Sequence, residues 1–268
     1  MTDNAKGTAL VTGASTGIGA VYADRLAKRG HDLILVARDQ ARLEALAERL
    51  RGETGRRVGI LRADLTDRAD LAKVEGRLSE DETIALLVNN AGKSMSGTLL
   101  DADPAEVEDL LALNTVAPTR LAGAAVKAFV RRGGGAIINL SSILALAPEI
   151  FDGVYSGTKA HLLNLSLSLA HQLKDKGVRV QAVLPGATRT EIWERSGKDL
   201  DSFPSEWVMD VNDLVDAALV GFDRGETVTI PPLADEADWT AFDGARLAMQ
   251  GRLSNREVAA RYREPAAA

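Results

Sequence analysis

The chain contains no cysteine, which excludes disulfides and thiolate metal sites and fits a reducing compartment. Histidine is nearly as scarce. None of His31, His161 and His171 has acidic or histidine neighbours at metal-ligand spacing, so each is expected to be structural or superficial, and no metal is expected. No apolar run reaches membrane-spanning length, and no charged-apolar-small leader precedes the first strand pattern, which begins within ten residues of Met1. Positive charge is in deficit too. The net charge of -6, with basic residues scattered rather than clustered, argues against a nucleic-acid partner. What remains is 268 residues, 46% hydrophobic and 26% charged, enough for one large α/β domain or two small ones. A soluble protein of the cytoplasm is expected, without membrane attachment.

Short β-rich runs alternate with longer helical patterns along the whole chain. Strands are expected at residues 8–12, 32–36, 58–62, 84–88, 136–140, 178–184 and 227–230. Most are continuous apolar runs, as strands covered on both faces require. Amphipathic helices are expected at 17–29, 39–51, 68–78, 104–131, 155–174 and 211–223. This rhythm predicts a single α/β domain over residues 1–268, a Rossmann-type doubly wound sheet of seven parallel strands with helices on both faces. Leu162, Leu163, Leu165, Leu167 and Leu169 spread over more than one face of their helix. The surplus predicts a helix-on-helix homo-oligomer.

The first strand runs into Thr12-Gly13-Ala14-Ser15-Thr16-Gly17-Ile18-Gly19, and a helical pattern follows at once. Strand, glycine turn and helix N-terminus in that order make an anion site, because backbone N–H groups and the helix dipole converge on the turn. The spacing is G-x-x-x-G-x-G rather than G-x-G-x-x-G, so the general dinucleotide fingerprint is only partly met. About twenty residues on, where an acid would hold a ribose 2′-hydroxyl, stands Ala37, followed by Arg38. A guanidinium fork suits a 2′-phosphate, which favours NADP(H) over NAD(H); the alternative is a solvated arginine opening a helix that Asp39 caps. Asp64-Leu65 follows the third strand, where an adenine would rest, and Asn89-Asn90-Ala91-Gly92 closes the fourth, where small residues let a ribose approach the backbone. Plain turn chemistry is the competing explanation for both.

Further on, Tyr155 and Lys159 lie one helical turn apart on the same face. A phenol titrates near about 10, and an ammonium beside it is expected to bring it down into working range. Ser142 precedes Tyr155 at the end of a strand and points to the opposite face from Ser141.

Taken with Asn89-Asn90-Ala91-Gly92, Asn114, Ser141-Ser142 and Pro185-Gly186, these stretches resemble the short-chain dehydrogenase/reductase family, in its compact single-domain branch, over roughly residues 8 to 190. The resemblance implies that Tyr155 is the general acid/base, that Ser142 holds the substrate oxygen, and that Lys159 lowers the phenol pKa and bonds the nicotinamide ribose. It implies that Asn114 orders a water relay behind Lys159. Cofactor contacts are implied for Gly13, Ser15, Thr16, Gly17, Ile18, Gly19, Arg38, Asp64, Leu65, Asn90, Ala91 and Gly92. Pro185, Gly186, Thr188 and Thr190 are implied beside the nicotinamide and pyrophosphate. It also implies a mobile substrate lid at about 190–210, where Trp193, Phe203 and Trp207 could close over an apolar substrate.

The chain departs from the family's usual ending. In many relatives the last strand and C-terminus help form one dimer interface, so the resemblance implies a homodimer through the two long helices in preference to a tetramer. The glycine pair after the last strand is replaced by Pro231-Pro232, and an atypical tail over 231–268 shows helical patterns near 235–250 and 255–263, with Ala266–Ala268 expected to fray. The function expected is an NADPH-dependent carbonyl reductase, reversible as an alcohol dehydrogenase, acting on a ketone or aldehyde among small-molecule carbonyls and alcohols. The alternatives are an NAD(H)-linked dehydrogenase of the same fold and a catalytically silent cofactor-sensing protein. A sugar-nucleotide epimerase is disfavoured by the short stretch after Pro185.

Overall fold

The structure, a computed structural model, describes residues 6–95, 97–197 and 199–263. The terminal alanines expected to fray lie outside the described residues. The strands are β1 (Thr8–Thr12), β2 (Asp32–Ala37), β3 (Val58–Arg62), β4 (Ile84–Asn89), β5 (Gly135–Leu140), β6 (Val178–Val183) and β7 (Val228–Thr229). The helices are α1 (Gly17–Lys28), α2 (Gln40–Thr54), α3 (Arg68–Glu80), α4 (Pro104–Leu111), α5 (Ala117–Arg132), α6 (Gly153–Leu173), α7 (Ile192–Arg195), α8 (Val211–Arg224) and α9 (Glu236–Met249).

Among the described residues the seven strands form one parallel sheet in the order β3-β2-β1-β4-β5-β6-β7. Its double cover follows from the pleat. Ala9 and Val11 of β1 point into a core with Tyr22 and Leu26 of α1, Leu43 of α2 and Val215 and Leu219 of α8. Leu10, between them, points into a second core with Leu71 and Val74 of α3, Leu121 and Phe129 of α5, and Leu173 of α6. After β3 the chain returns to the centre of the sheet as β4 beside β1. The strand order therefore reverses between β1 and β4, and a crevice opens at their carboxyl ends.

Two helices differ from expectation. The segment expected as one helix over 104–131 is split by a π-helical turn, Ala112–Val116, with Pro118 just beyond it. Proline lacks an N–H for the carbonyl four residues back, so the regular ladder cannot run through Asn114. The leucines of α6 are better covered within one chain than their spread suggested. Leu162 and Leu163 are buried, while Leu165 and Leu169 pack partly against the second core. The apolar surplus offered to a partner is correspondingly smaller.

Where the sequence suggested one domain with a tail, the chain divides into two compact units, Met1–Pro232 and Leu233–Ala268. The second unit is built on α9, in which Trp239 and Phe242 pack at 5.7 Å and Arg246 pairs with Asp243 at 2.7 Å. Of the helix expected at 255–263 only the single 3-10 turn Ala260–Tyr262 forms. A segment that short has no core to offset the cost of nucleation.

Candidate active site

The glycine turn is shaped by contacts a side chain would destroy. Gly13 has φ +65°, and a Cβ there would sit 2.7 Å from Asn90 Nδ2. A Cβ on Gly19 would fall on the Gly13 carbonyl oxygen and on Asn90 Nδ2. Asn90 Nδ2 donates to the carbonyls of Thr12 (2.9 Å) and Gly13 (3.3 Å), fastening the end of β4 to the turn. Thr12 Oγ1 accepts from the N–H groups of Asn90 (3.0 Å) and Ala91 (3.1 Å), a clasp that the sequence reading missed. Asn89 Nδ2 donates to Asn139 Oδ1 at 3.0 Å, tying β4 to β5. Amides thus hold neighbouring strand ends in register, in place of side chains that would fill the crevice.

The helix that follows is started differently from its neighbours. Helices α2, α3, α4, α6 and α8 begin on Asp39, Asp67, Asp103, Asp152 and Asp210, each accepting a first-turn N–H. Helix α1 begins on Thr16, whose side chain makes no capping bond, and has no acid in its first turn. Its orphan N–H groups face the glycine turn, an arrangement that suits a diphosphate. Ser15, Thr16, Gly17 and Ile18 are half-buried there, and Thr190 approaches Gly17, its methyl carbon 3.2 Å from a Cβ built at that glycine. Arg38, just past β2, is 72% exposed and faces Asp64 Oδ2 only loosely, at 3.7 Å. Desolvation pushes the Asp64 carboxyl up, but Thr66 donors and the Arg38 charge outweigh it and hold it below the usual range. Leu65, the next residue, has its side chain buried in the second core. The turn, the uncapped helix and the loosely held guanidinium fit a dinucleotide bearing a 2′-phosphate.

The proposed catalytic residues gather across the crevice. Asp152 fixes the head of α6, its Oδ1 accepting from the N–H groups of Val154 and Tyr155, both at 2.9 Å. Lys159, one turn below Tyr155, is buried, donates from Nζ to the Leu140 carbonyl at 3.0 Å and lies 5.5 Å from the Tyr155 ring centre. Ser141 faces away and donates to the Lys159 carbonyl at 2.7 Å. Ser142 Oγ accepts from Leu144 N at 3.2 Å and reaches the Pro185 carbonyl at 3.5 Å. Asn114, in the π turn, is clamped through both ends of its amide: Oδ1 accepts from Lys93 N at 2.9 Å, and Nδ2 donates to Lys93 O at 2.8 Å. Gly92 joins the two halves of the site, since a Cβ built on it would lie 3.3 Å from Asn114 Oδ1 and 3.6 Å from Lys159 Nζ.

The charge balance differs from the expectation that Lys159 brings the phenol down. Burial pushes the Tyr155 hydroxyl up; the charge of Asp152 adds to this, and the Ser142 hydroxyl, which can donate to the phenolate, opposes it. Burial also brings the Lys159 ammonium down to about 8.

Thr188 is buried, its hydroxyl turned back to the Gly186 carbonyl at 3.1 Å rather than into the crevice. Pro185 lends its carbonyl to Ile143 N at 3.0 Å. Beyond Thr188 the chain makes α7 and two 3-10 turns, then returns to a parallel bridge between Thr188 and Met209 that closes the segment at its base. Trp193 donates from Nε1 to the Thr188 carbonyl at 2.8 Å. Its ring stands 6.5 Å from Phe151 and 5.2 Å from Phe203, while Phe151 stands edge-on to Tyr155 at 5.8 Å. This line of rings ends at the proposed acid. Trp193 and Phe203 were expected over a substrate, but Phe151 was missed, its only signal being its place four residues before Tyr155. Trp207 stays 64% exposed. Histidines stand apart: His31 Nδ1 lies 3.2 Å from the Gly7 carbonyl, and His161 Nε2 lies 2.8 Å from Thr119 Oγ1. Among the described residues no helix is long and apolar enough to cross a membrane.

A model of the short chain dehydrogenase family matches residues 7–201. Among curated proteins, 17-beta-hydroxysteroid dehydrogenase type 3 of Homo sapiens is 35% identical over 185 residues, covering 68% of this chain and 59% of that protein. This chain thus spans less than two thirds of that relative's length. Among solved structures, a short-chain dehydrogenase from Sphingobium yanoikuyae in complex with NADPH superposes with a TM-score of 0.93 at 54% identity, covering 96% of this chain and 100% of that one. A bulky-bulky ketone specific alcohol dehydrogenase from Comamonas testosteroni gives 0.88 at 48% identity, with 96% and 98% covered. The glycine turn, the Asn90–Gly92 bridge and the Tyr155–Lys159 pair all fall within the matched span, and the chain belongs to the short chain dehydrogenase family.

Proposed function

We propose that this protein is an NADPH-dependent carbonyl reductase, reversible as an alcohol dehydrogenase, with an apolar ketone or aldehyde as substrate. The observation that supports this most is the bridge from Asn90 to Gly92. One end closes the glycine turn. The other lies beside Asn114 and Lys159, close enough that a side chain on Gly92 would meet both, so one segment spans the distance between the cofactor cradle and the proton donors. Gly13, Ser15, Thr16, Gly17, Ile18 and Gly19 would hold the diphosphate. Arg38 would hold the 2′-phosphate, and Ala91, Gly92 and Pro185 to Thr190 would line the nicotinamide half. The nicotinamide, when bound, supplies or accepts the hydride.

The chain's own residues supply everything else. Ser142 and Tyr155 offer two hydroxyl donors to an oxygen on which negative charge grows. A phenol pushed up by burial stays protonated at neutral pH, the form a carbonyl reduction needs. Lys159, with its ammonium down to about 8, exchanges protons near neutrality and can restore the one Tyr155 gives up. The rings of Phe151, Trp193 and Phe203 continue from Tyr155 and offer an apolar wall to a bulky substrate, in keeping with the ketones named for the Comamonas relative.

The test is NADPH consumption on a panel of ketones and aldehydes, compared with the Tyr155→Phe variant. That variant should keep NADPH binding and lose about 10² to 10⁴ in rate. Turnover equal to the wild type, or none by either protein on any carbonyl, would overturn the reading.

A further inference from the structure

Helix α6 carries Tyr155 and Lys159, and the π turn Ala112–Val116 carries Asn114. The two elements are tied at two places one helical turn apart. At the first, Thr158 Oγ1 accepts from Asn114 Nδ2 at 3.3 Å while donating to the Tyr155 carbonyl at 2.7 Å. At the second, His161 Nε2 lies 2.8 Å from Thr119 Oγ1, which lies 2.6 Å from the Thr115 carbonyl. A carbonyl only accepts, so the threonine proton goes to Thr115 and the hydrogen between Thr119 and the ring sits on His161 Nε2. Positions 158 and 161 share one face of α6, which turns both ties towards the same stretch of chain. The second tie is the shorter, and it reaches a weak place. Pro118 brings no N–H to the ladder, so the regular bonding around Asn114 is interrupted and support from outside the helix counts for more.

We infer that His161 is a positioning residue: through Thr119 it sets the helix bearing Tyr155 and Lys159 against the turn bearing Asn114. This rests on the reductase reading above. Asn114 in turn holds Lys93 by both its N–H and its carbonyl. Gly92 comes just before, and a Cβ built on it would lie 3.3 Å from Asn114 Oδ1 and 3.6 Å from Lys159 Nζ. The loop that lines the coenzyme crevice and the helix that offers the proton are therefore set against each other through the π turn. Sliding α6 along that turn moves the phenol and the ammonium relative to Gly92. Misplacing a reacting group by about 1 Å costs up to about 10²-fold in rate. A bond that only packs two helices together would cost stability when lost and leave the rate alone, so the two roles have different signatures.

The test compares His161→Phe, which keeps a flat ring and removes the donor, with His161→Gln, whose amide can place an N–H near the position of Nε2. Carbonyl reduction and NADPH binding are measured for both. His161→Phe should lower kcat about five- to fiftyfold. KM and the NADPH Kd should stay within about twofold, as for an interaction that matters only in the transition state. His161→Gln should recover most of the rate. Thr119→Val removes the partner hydroxyl at nearly the same shape and should match His161→Phe; the two together should cost no more than either alone. Should His161→Phe fail to fold, Thr119→Val carries the same comparison. A wild-type kcat with only the thermal midpoint lowered makes the bond a packing contact and overturns the inference. So does a loss carried by KM or by NADPH affinity, or one that His161→Gln shares in full. A failure of the reductase reading is separable, because it shows in Tyr155→Phe retaining full turnover.

Discussion

Lys159 carries a cost that can be measured without any substrate. Its ammonium is buried and brought down to about 8 by loss of water, against a reference of 10.5. In the unfolded chain the same group keeps its proton up to its ordinary value. Below about pH 8 the folded protein therefore holds a charge that folding has desolvated. At about 1.36 kcal/mol per unit, the penalty is on the order of 3 kcal/mol at neutral pH. Stability from this group is fully present above the unfolded value and is lost as pH falls through the folded one. Replacing Lys159 by Met keeps the unbranched stem and removes the charge. It also strips the Leu140 carbonyl of its donor, at a cost of about 1 kcal/mol. The net expectation is a gain on the order of 1–2 kcal/mol at pH 7, or a thermal midpoint raised by roughly 2–8 °C. The gain should shrink to nothing, or reverse, by about pH 10, where the wild-type amine is neutral when folded. Melting curves of cofactor-free wild type and variant at pH 7 and pH 10 decide the matter, while activity should be lost throughout. A variant no more stable at pH 7 than at pH 10, relative to wild type, would show that the buried ammonium is not the source of the strain.

Two further substitutions probe the cofactor side. Arg38→Ala should weaken NADPH binding by about 10- to 100-fold and leave NADH nearly unchanged, since a charge-assisted bond to a phosphate is worth about 1.5–3 kcal/mol; fluorescence titration with both coenzymes measures it, and equal losses would remove the 2′-phosphate role. Gly19→Ala drives a methyl against the Gly13 carbonyl and Asn90 Nδ2, so the turn must open. A destabilisation of about 1–3 kcal/mol should appear in the melting curve together with weakened coenzyme binding, and normal coenzyme affinity would refute the close approach as its cause.

The strand runs and the glycine turn were legible because their signals are local. LILV is apolar at every position and AIINL at all but Asn139, and only strands covered on both faces can bury them, so the double cover followed without coordinates. The spacing of Tyr155 and Lys159 fixed their shared helix face for the same reason. The π turn at Ala112–Val116 was not legible, because widening one turn leaves the apolar pattern almost unchanged. What holds it is the clamp between Asn114 and Lys93, a pairing between the loop after β4 and a distant helix. Nor could the ring line from Tyr155 through Phe151 and Trp193 to Phe203 be read, since it joins two segments that meet only in the folded chain.

The sequence by itself determined the order of strands and helices, the glycine turn after the first strand and the shared helix face of Tyr155 and Lys159, all properties of residues near one another in the chain. Tertiary structure alone decided how the pair titrates and what surrounds it. Loss of water, which depends on everything packed around a group, is the leading influence on both the phenol and the ammonium.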